Sequence, residues 1–192
     1  MIDMKKILFV AALAVLSLTA GAQAKFAHVN FSELVQLMPE ADKARATMNA
    51  SSKEAQETYQ AMADEFNSKY QQYQQKAETW PASTRTAKEK ELTDIQQRIA
   101  EFEQNVQAEL QQQQQQLMAP IYQKAQDTIN ELAKKAGYIF VFDKSTALYV
   151  DPAQSDDITA AARKALGIPE GRTLESLQAE LQAQAEQAQL GQ

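Results

Sequence analysis

One stretch constrains this chain more than any other. From Pro39 to Ala136, about a hundred residues, there is no glycine and almost every residue is a good helix former. In its first half Ala55, Tyr59, Met62, Phe66, Tyr70, Tyr73, Ala77 and Trp80 recur at spacings of three and four. In its second half Leu92, Ile95, Ile99, Phe102, Val106 and Leu110 do the same, with Leu117, Ile121, Ala125 and Leu132 continuing the row. That rhythm predicts two long helices paired along an apolar seam. Between them lies Trp80-Pro81-Ala82-Ser83-Thr84, where proline excludes its predecessor from the α region and Ser83 or Thr84 can cap the next helix. The chain is expected to reverse at this tip, residues 80–84. Arms of roughly 40 and 50 residues reach about 60 to 75 Å, too far for a compact domain, so the hairpin 39–136 must project from a body.

The seam is graded. Near the body it holds Ala41, Ala44, Met48, Ser51 and Ser52, which bury little apolar area compared with the aromatics nearer the tip. The base half is therefore expected to be the looser one. Pro120 in the second arm removes a helical hydrogen bond and predicts a kink or hinge rather than a break, because the apolar rhythm resumes at Ile121. The run Gln111 to Gln116 reads as solvated helix surface.

The N-terminus has Lys5 and Lys6, an apolar run from Ile7 to Leu18, and Ala22-Gln23-Ala24. This is the pattern of a secretory signal peptide, residues 1–24, with cleavage after Ala24 and export. There is no cysteine, hence no disulfide framework and no site for a lipid anchor. Cleavage would remove Asp3, Lys5 and Lys6, leaving 17 basic against 24 acidic residues, a net charge of −7. Such a chain is a poor binder of nucleic acid. Between Lys69 and Lys90 the balance is opposite: Lys69, Lys76, Arg85, Lys88 and Lys90 face only Glu78 and Glu89, a net +3 around the tip.

The body should come from both ends of the arm. Residues 25–38 provide a strand, Lys25 to Asn30, and a short helix that Ser32 caps before Pro39 opens the arm. After Lys134, Lys135 and the stop at Gly137, residues 137–167 provide Tyr138 to Asp143, a turn at 144–146, and Ala147 to Pro152, read as a hairpin of two strands. Ser155 is expected to cap a helix from Asp156 to Leu166, ended by Gly167. Residues 168–192 read as a linker followed by a solvated, low-complexity tail. The fold class is thus α+β, mostly helical, with a small body of three short strands. Phe26, Val29, Ile139, Phe140, Val141, Leu148 and Val150 give those strands more apolar surface than one subunit can cover, which predicts oligomerisation. A charged residue at Val141 is expected to abolish it.

No glycine-rich phosphate loop and no cluster of metal ligands can be read from the chain, so no cofactor, no metal and no catalytic residue are expected. His28, the only histidine, lies inside the first strand and reads as structural.

The Phe-Ala-His-Val-Asn strand, Pro39 opening a long hairpin, Tyr-Ile-Phe-Val-Phe-Asp, Leu-Tyr-Val-Asp-Pro and Asp157-Ile158-Thr159 together resemble the Skp (OmpH-like) family of periplasmic chaperones over about Lys25 to Leu166. The resemblance implies a jellyfish-like homotrimer whose strands form a central body and whose hairpins surround a cavity. That cavity would hold unfolded outer-membrane β-barrel proteins without ATP. Seam residues Met48, Tyr59, Met62, Phe66, Tyr70, Tyr73, Leu92, Ile95, Ile99, Phe102 and Val106 would face clients. Basic members of the family are the best known and this chain is acidic. The competing reading is a periplasmic coiled-coil adaptor or spacer that docks through its tip, with Trp80, Arg85, Lys88 and Lys90 meeting a partner or an anionic membrane surface.

Overall fold

The computed structural model describes residues 24–190, and the expected signal peptide, apart from Ala24, lies outside the described residues. The chain is α+β and mostly helical, as expected. In order it comprises β1 (Lys25–Val29), α1 (Phe31–Leu37), α2 (Pro39–Lys76), α3 (Ala82–Ala136), β2 (Tyr138–Asp143), a 3-10 turn at Lys144–Thr146, β3 (Ser155–Asp157), α4 (Thr159–Ala165) and α5 (Leu174–Leu190).

The arm is α2 against α3. Their 38 and 55 residues span about 57 and 82 Å at about 1.5 Å per residue. Met38 is extended (ψ 141°) because Pro39 follows it, so α1 and α2 are separate helices. The reversal occupies residues 77–81, slightly ahead of the expected tip. Pro81 stands at the N-cap of α3 with no side-chain cap bond, so neither Ser83 nor Thr84 caps the helix; both lie inside its first turn. Helix α3 runs unbroken through Pro120 and stops at Gly137, whose left-handed backbone (φ 75°) lets its amide reach the Ala133 and Lys134 carbonyls.

The sheet differs from the expected hairpin. Its order is β2-β1-β3, with the N-terminal strand in the centre and both neighbours parallel to it. Residues 147–150 lie outside the sheet, and the third strand is Ser155–Asp157. The cause is local. Asp143 accepts from the Ser145 amide at 3.0 Å and its carbonyl from the Thr146 hydroxyl at 2.9 Å, which winds the chain into a 3-10 turn instead of a tight reversal. Asp151 then accepts from the amides of Gln154 and Ser155 through its carbonyl, both at 3.1 Å, and so delivers β3 to the far edge. Two helix starts are also corrected. Asn30, not Ser32, caps α1, accepting from the Glu33 amide at 3.2 Å. Asp157, not Ser155, accepts from the first amide of α4, that of Thr159, at 2.9 Å.

One core joins the body to the root of the arm. Leu34, Leu37, Val35 and Met38 of the α1 segment are fully buried, and they pack with Ala27, Val29, Ala41, Ala44, Ile121, Ala125, Ile129, Ile158, Ala162 and Leu166. Met48 and Ser51 farther along remain half-buried and Ser52 exposed, but at Ala41 and Ala44 the expectation of a loose base is thereby overturned. Small residues let the helices approach closely there, and α1 and α4 cover what a two-helix hairpin leaves open. Toward the tip each large ring has only one facing helix, so Tyr59 and Tyr70 remain exposed and Ile95 is the one buried seam residue among those expected to face clients. The C-terminal segment is corrected as well, since Ile168 and Leu177, both 5% exposed, belong to this same core.

Candidate functional site

Two surfaces collect the residues singled out above. The first is the face of the sheet that no helix covers. In the parallel register Phe26 pairs with Phe140 and His28 with Phe142, so these side chains share a face. The three phenyl rings stack on one another with centroids 6.3 Å (Phe26 to Phe140), 6.3 Å (Phe26 to Phe142) and 5.9 Å (Phe140 to Phe142) apart. Phe140 is 59% and Phe142 49% exposed, the loop residues Leu148 and Tyr149 are exposed too, and so is Ile139, which precedes Phe140 at the irregularity in the β1–β2 register. Val150 is half-buried, lining with Phe26, Phe142 and Tyr149 a pocket of about 310 Å³ under that loop. Val29 and Val141 turn the other way: Val29 is in the core and Val141 packs against it. The sequence alone does not single out Phe142 or Tyr149, because the alternation of Phe142 with Val141 assigns neither to a face until the strand register is known.

His28 sits in the same sheet, 6% exposed, with Nδ1 2.9 Å from the Ser155 hydroxyl and Nε2 3.5 Å from the Asp157 carboxylate. Burial of Asp157 opposes its charge, but bonds from Thr159 and the nearby His28 and Lys144 outweigh this and hold its carboxyl below the ordinary value. The contacts stitch the central strand to β3 across most of the sequence.

The second surface is the arm. Phe102, Val106 and Leu110 of α3 face Ser51, Ala55 and Thr58 of α2 across a gap of about 460 Å³ rimmed by Glu54, Glu109 and glutamines. It lies in the middle of the arm, between the buried root and a bonded outer half. Met48, Met62, Phe66, Tyr73, Leu92, Ile99, Phe102 and Val106 are all half-buried, whereas Tyr59 and Tyr70 are more open. Phe66 and Tyr70 stack within α2 at 5.8 Å. Pro120 denies the Gln116 carbonyl its helical partner, and Gln116 lines the gap, so the helix is weakened beside the space.

The outer half is held by ion pairs. Lys69 of α2 and Lys88 both bond Glu91 of α3, the latter at 2.8 Å, and Arg98 reaches Glu65 at 3.0 Å. The two lysines pull the Glu91 carboxyl down to about 2. Its folded pKa lies below the ordinary value, so the linkage supports pairing above about pH 4.5 and is lost as pH falls from there toward 2. We expect the outer arm to exchange amide hydrogens faster at pH 3 than at pH 6, after correction for intrinsic rates, and Glu91→Gln to remove much of that difference. An equal pH response in the variant would count against the bridge.

At the tip Lys88 and Lys90 are engaged by Glu91 and Asp94, while Arg85 has no ionic partner among the described residues. Trp80 is half-buried and meets Tyr73 edge-on at 6.1 Å. Among the described residues no helix is long and apolar enough to cross a membrane.

Comparison with known proteins adds the family. The model of the family described as outer membrane protein (OmpH-like) matches residues 25–166. Chaperone protein Skp of Yersinia enterocolitica is 31% identical over 164 residues, covering 84% of this chain and 98% of that protein. Chaperone protein Skp of Pectobacterium atrosepticum is 30% identical over the same shares. With that match and those relatives, the chain belongs to the OmpH-like family.

Proposed function

We propose that this protein is a periplasmic, ATP-independent holdase chaperone, a homotrimer that keeps unfolded outer-membrane β-barrel proteins from aggregating between its arms. The observation that carries the reading is the grading of the arm: an anchored root, an ion-paired outer half, and between them a gap with half-exposed apolar walls. A wall of that kind offers many weak contacts and no shaped site, which suits a client whose apolar residues alternate along every strand. The names of its relatives support the chaperone role. Cleavage of the N-terminal segment after Ala24 would deliver it to the periplasm, and the activity is binding rather than catalysis.

The stacked phenylalanines of the free sheet face, with Ile139 and Leu148, supply the surface through which three subunits join. In this arrangement the hinge of each arm lies between Val106 and Pro120, beside the gap, rather than at its root. The adaptor reading keeps one specific support, Arg85 beside the tip, which has no ionic partner among the described residues and which an anionic membrane surface or partner would meet. Trp80, packed on Tyr73, closes the hairpin end instead of presenting a docking knob.

The test is to dilute an outer-membrane protein from urea into buffer holding the mature protein, without nucleotide, and to follow light scattering. Suppression that saturates near one client per trimer is the expected result. Equal aggregation with and without the protein would overturn the holdase reading and promote the adaptor.

A further inference from the structure

The family match stops at residue 166, yet the chain beyond it is built into the root of the arm. Gly167 and Gly171 take left-handed backbone (φ 70° and 80°), which bends the segment back on the body. Ile168 and Leu177 enter the core. Thr173 and Ser176 cap α5 reciprocally, the Ser176 amide donating to the Thr173 hydroxyl at 3.1 Å and the Thr173 amide to the Ser176 hydroxyl at 3.0 Å.

Between these anchors lies Arg172, its side chain 16% exposed. One of its terminal nitrogens donates to Asp42 at 2.6 Å and lies 3.8 Å from Glu180. Arg163 of α4 braces it, bonding the Arg172 carbonyl with one nitrogen and donating to Glu33 of α1 at 2.8 Å with another. Asp42 is in the first turn of α2. That turn has no side-chain cap, because the residue before Pro39 is methionine. Each of its two acids meets a cation from another element, Glu40 that of Lys124 in α3 and Asp42 that of Arg172, the Asp42 oxygen being shared with Arg45 of α2 itself. Lys124 travels with the arm, since it belongs to the same hairpin. Arg172 does not.

We propose that the segment from Ile168 to Leu190, which lies past the family match, is a clamp that fixes the direction of the arm relative to the body. Arg172 is its positioning residue: it ties the first turn of the arm to a segment that is itself anchored in the core. The clamp limits movement at the root and confines bending to the middle of the arm. It holds whether the arms receive clients or dock on a partner.

Hydrogen exchange of the mature protein reads this directly. In Arg172→Gln the amides between about residues 39 and 50 are expected to exchange roughly tenfold faster, while those between about residues 66 and 95 are unchanged. Arg172→Lys, which keeps the charge but loses the forked donor, should recover part of the loss. A chain ending at Gly167 should match or exceed the effect and widen the interatomic distance distribution in small-angle scattering. Unchanged exchange at the root in Arg172→Gln, with helical circular dichroism intact, would overturn the proposal even if the shortened chain failed to fold. Acceleration spread evenly over the whole arm would also overturn it, since a clamp acts at one end.

Discussion

In the trimer proposed above, Phe140→Glu is expected to yield single subunits at micromolar concentration while leaving each subunit folded. Phe140 stacks on Phe26 and Phe142 yet stands 59% exposed, outside the core that joins sheet and helices. A carboxylate there costs the isolated subunit little, because water can solvate it. Within an assembly closed over this face it would be buried against two phenyl rings, at several kcal/mol per subunit, repeated in each copy. Val141, the position favoured from the sequence for this experiment, packs on the subunit's own core, so a charge there would unfold the subunit and confuse the two effects. Light scattering coupled to size exclusion gives the mass. An assembly of unchanged mass would mean that the aromatic face is not the one through which subunits meet.

Leu34→Ala carries the largest expected loss of stability. Leu34 is fully buried in α1, the short helix on which the sheet, the arm and the C-terminal segment all converge. Truncating a leucine there removes transfer energy and leaves a cavity that three packed neighbours cannot fill, at about 2 to 5 kcal/mol. For a chain of this length that corresponds to a fall in Tm of roughly 5 to 20 °C. Tyr70→Ala, on the outer arm and 43% exposed, should cost much less. Thermal melts of the two variants compare root with arm directly, and equal losses would contradict the gradient of burial described above.

The arm was legible because helical periodicity over so long a run is a strong local signal, and so was the stop at Gly137, which needs a left-handed residue. The sheet was only partly legible. Lys25–Val29 and Tyr138–Asp143 carry enough apolar and β-branched residues to be read as strands, but parallel pairing across an intervening arm leaves no mark in local sequence. Ser155–Asp157 was read as a helix start because serine and acidic residues favour that position, whereas its neighbour β1 decides the outcome. The closed root of the arm is illegible for a related reason. Between two helices alone alanines are weak contacts, but Ala41 and Ala125 are also covered by elements distant in sequence. In the same way Arg172 and Leu177, in a segment rich in polar residues, give no sign of the partners that bury them.

The central place of β1 has a kinetic consequence. Its partners Phe140 and Asp157 lie more than a hundred residues downstream, so neither ladder can form until the entire arm has been made. Closing a flexible loop of that size would cost about 4 kcal/mol and slow the search accordingly. Once α2 and α3 have zipped from the tip, however, the loop is no longer flexible: the start of α2 arrives beside Lys124, and the last turns of α3 run on past it to carry β2 toward β1. The arm is thus the guide on which the body folds. A substitution that slackens its middle should delay formation of a sheet it never touches.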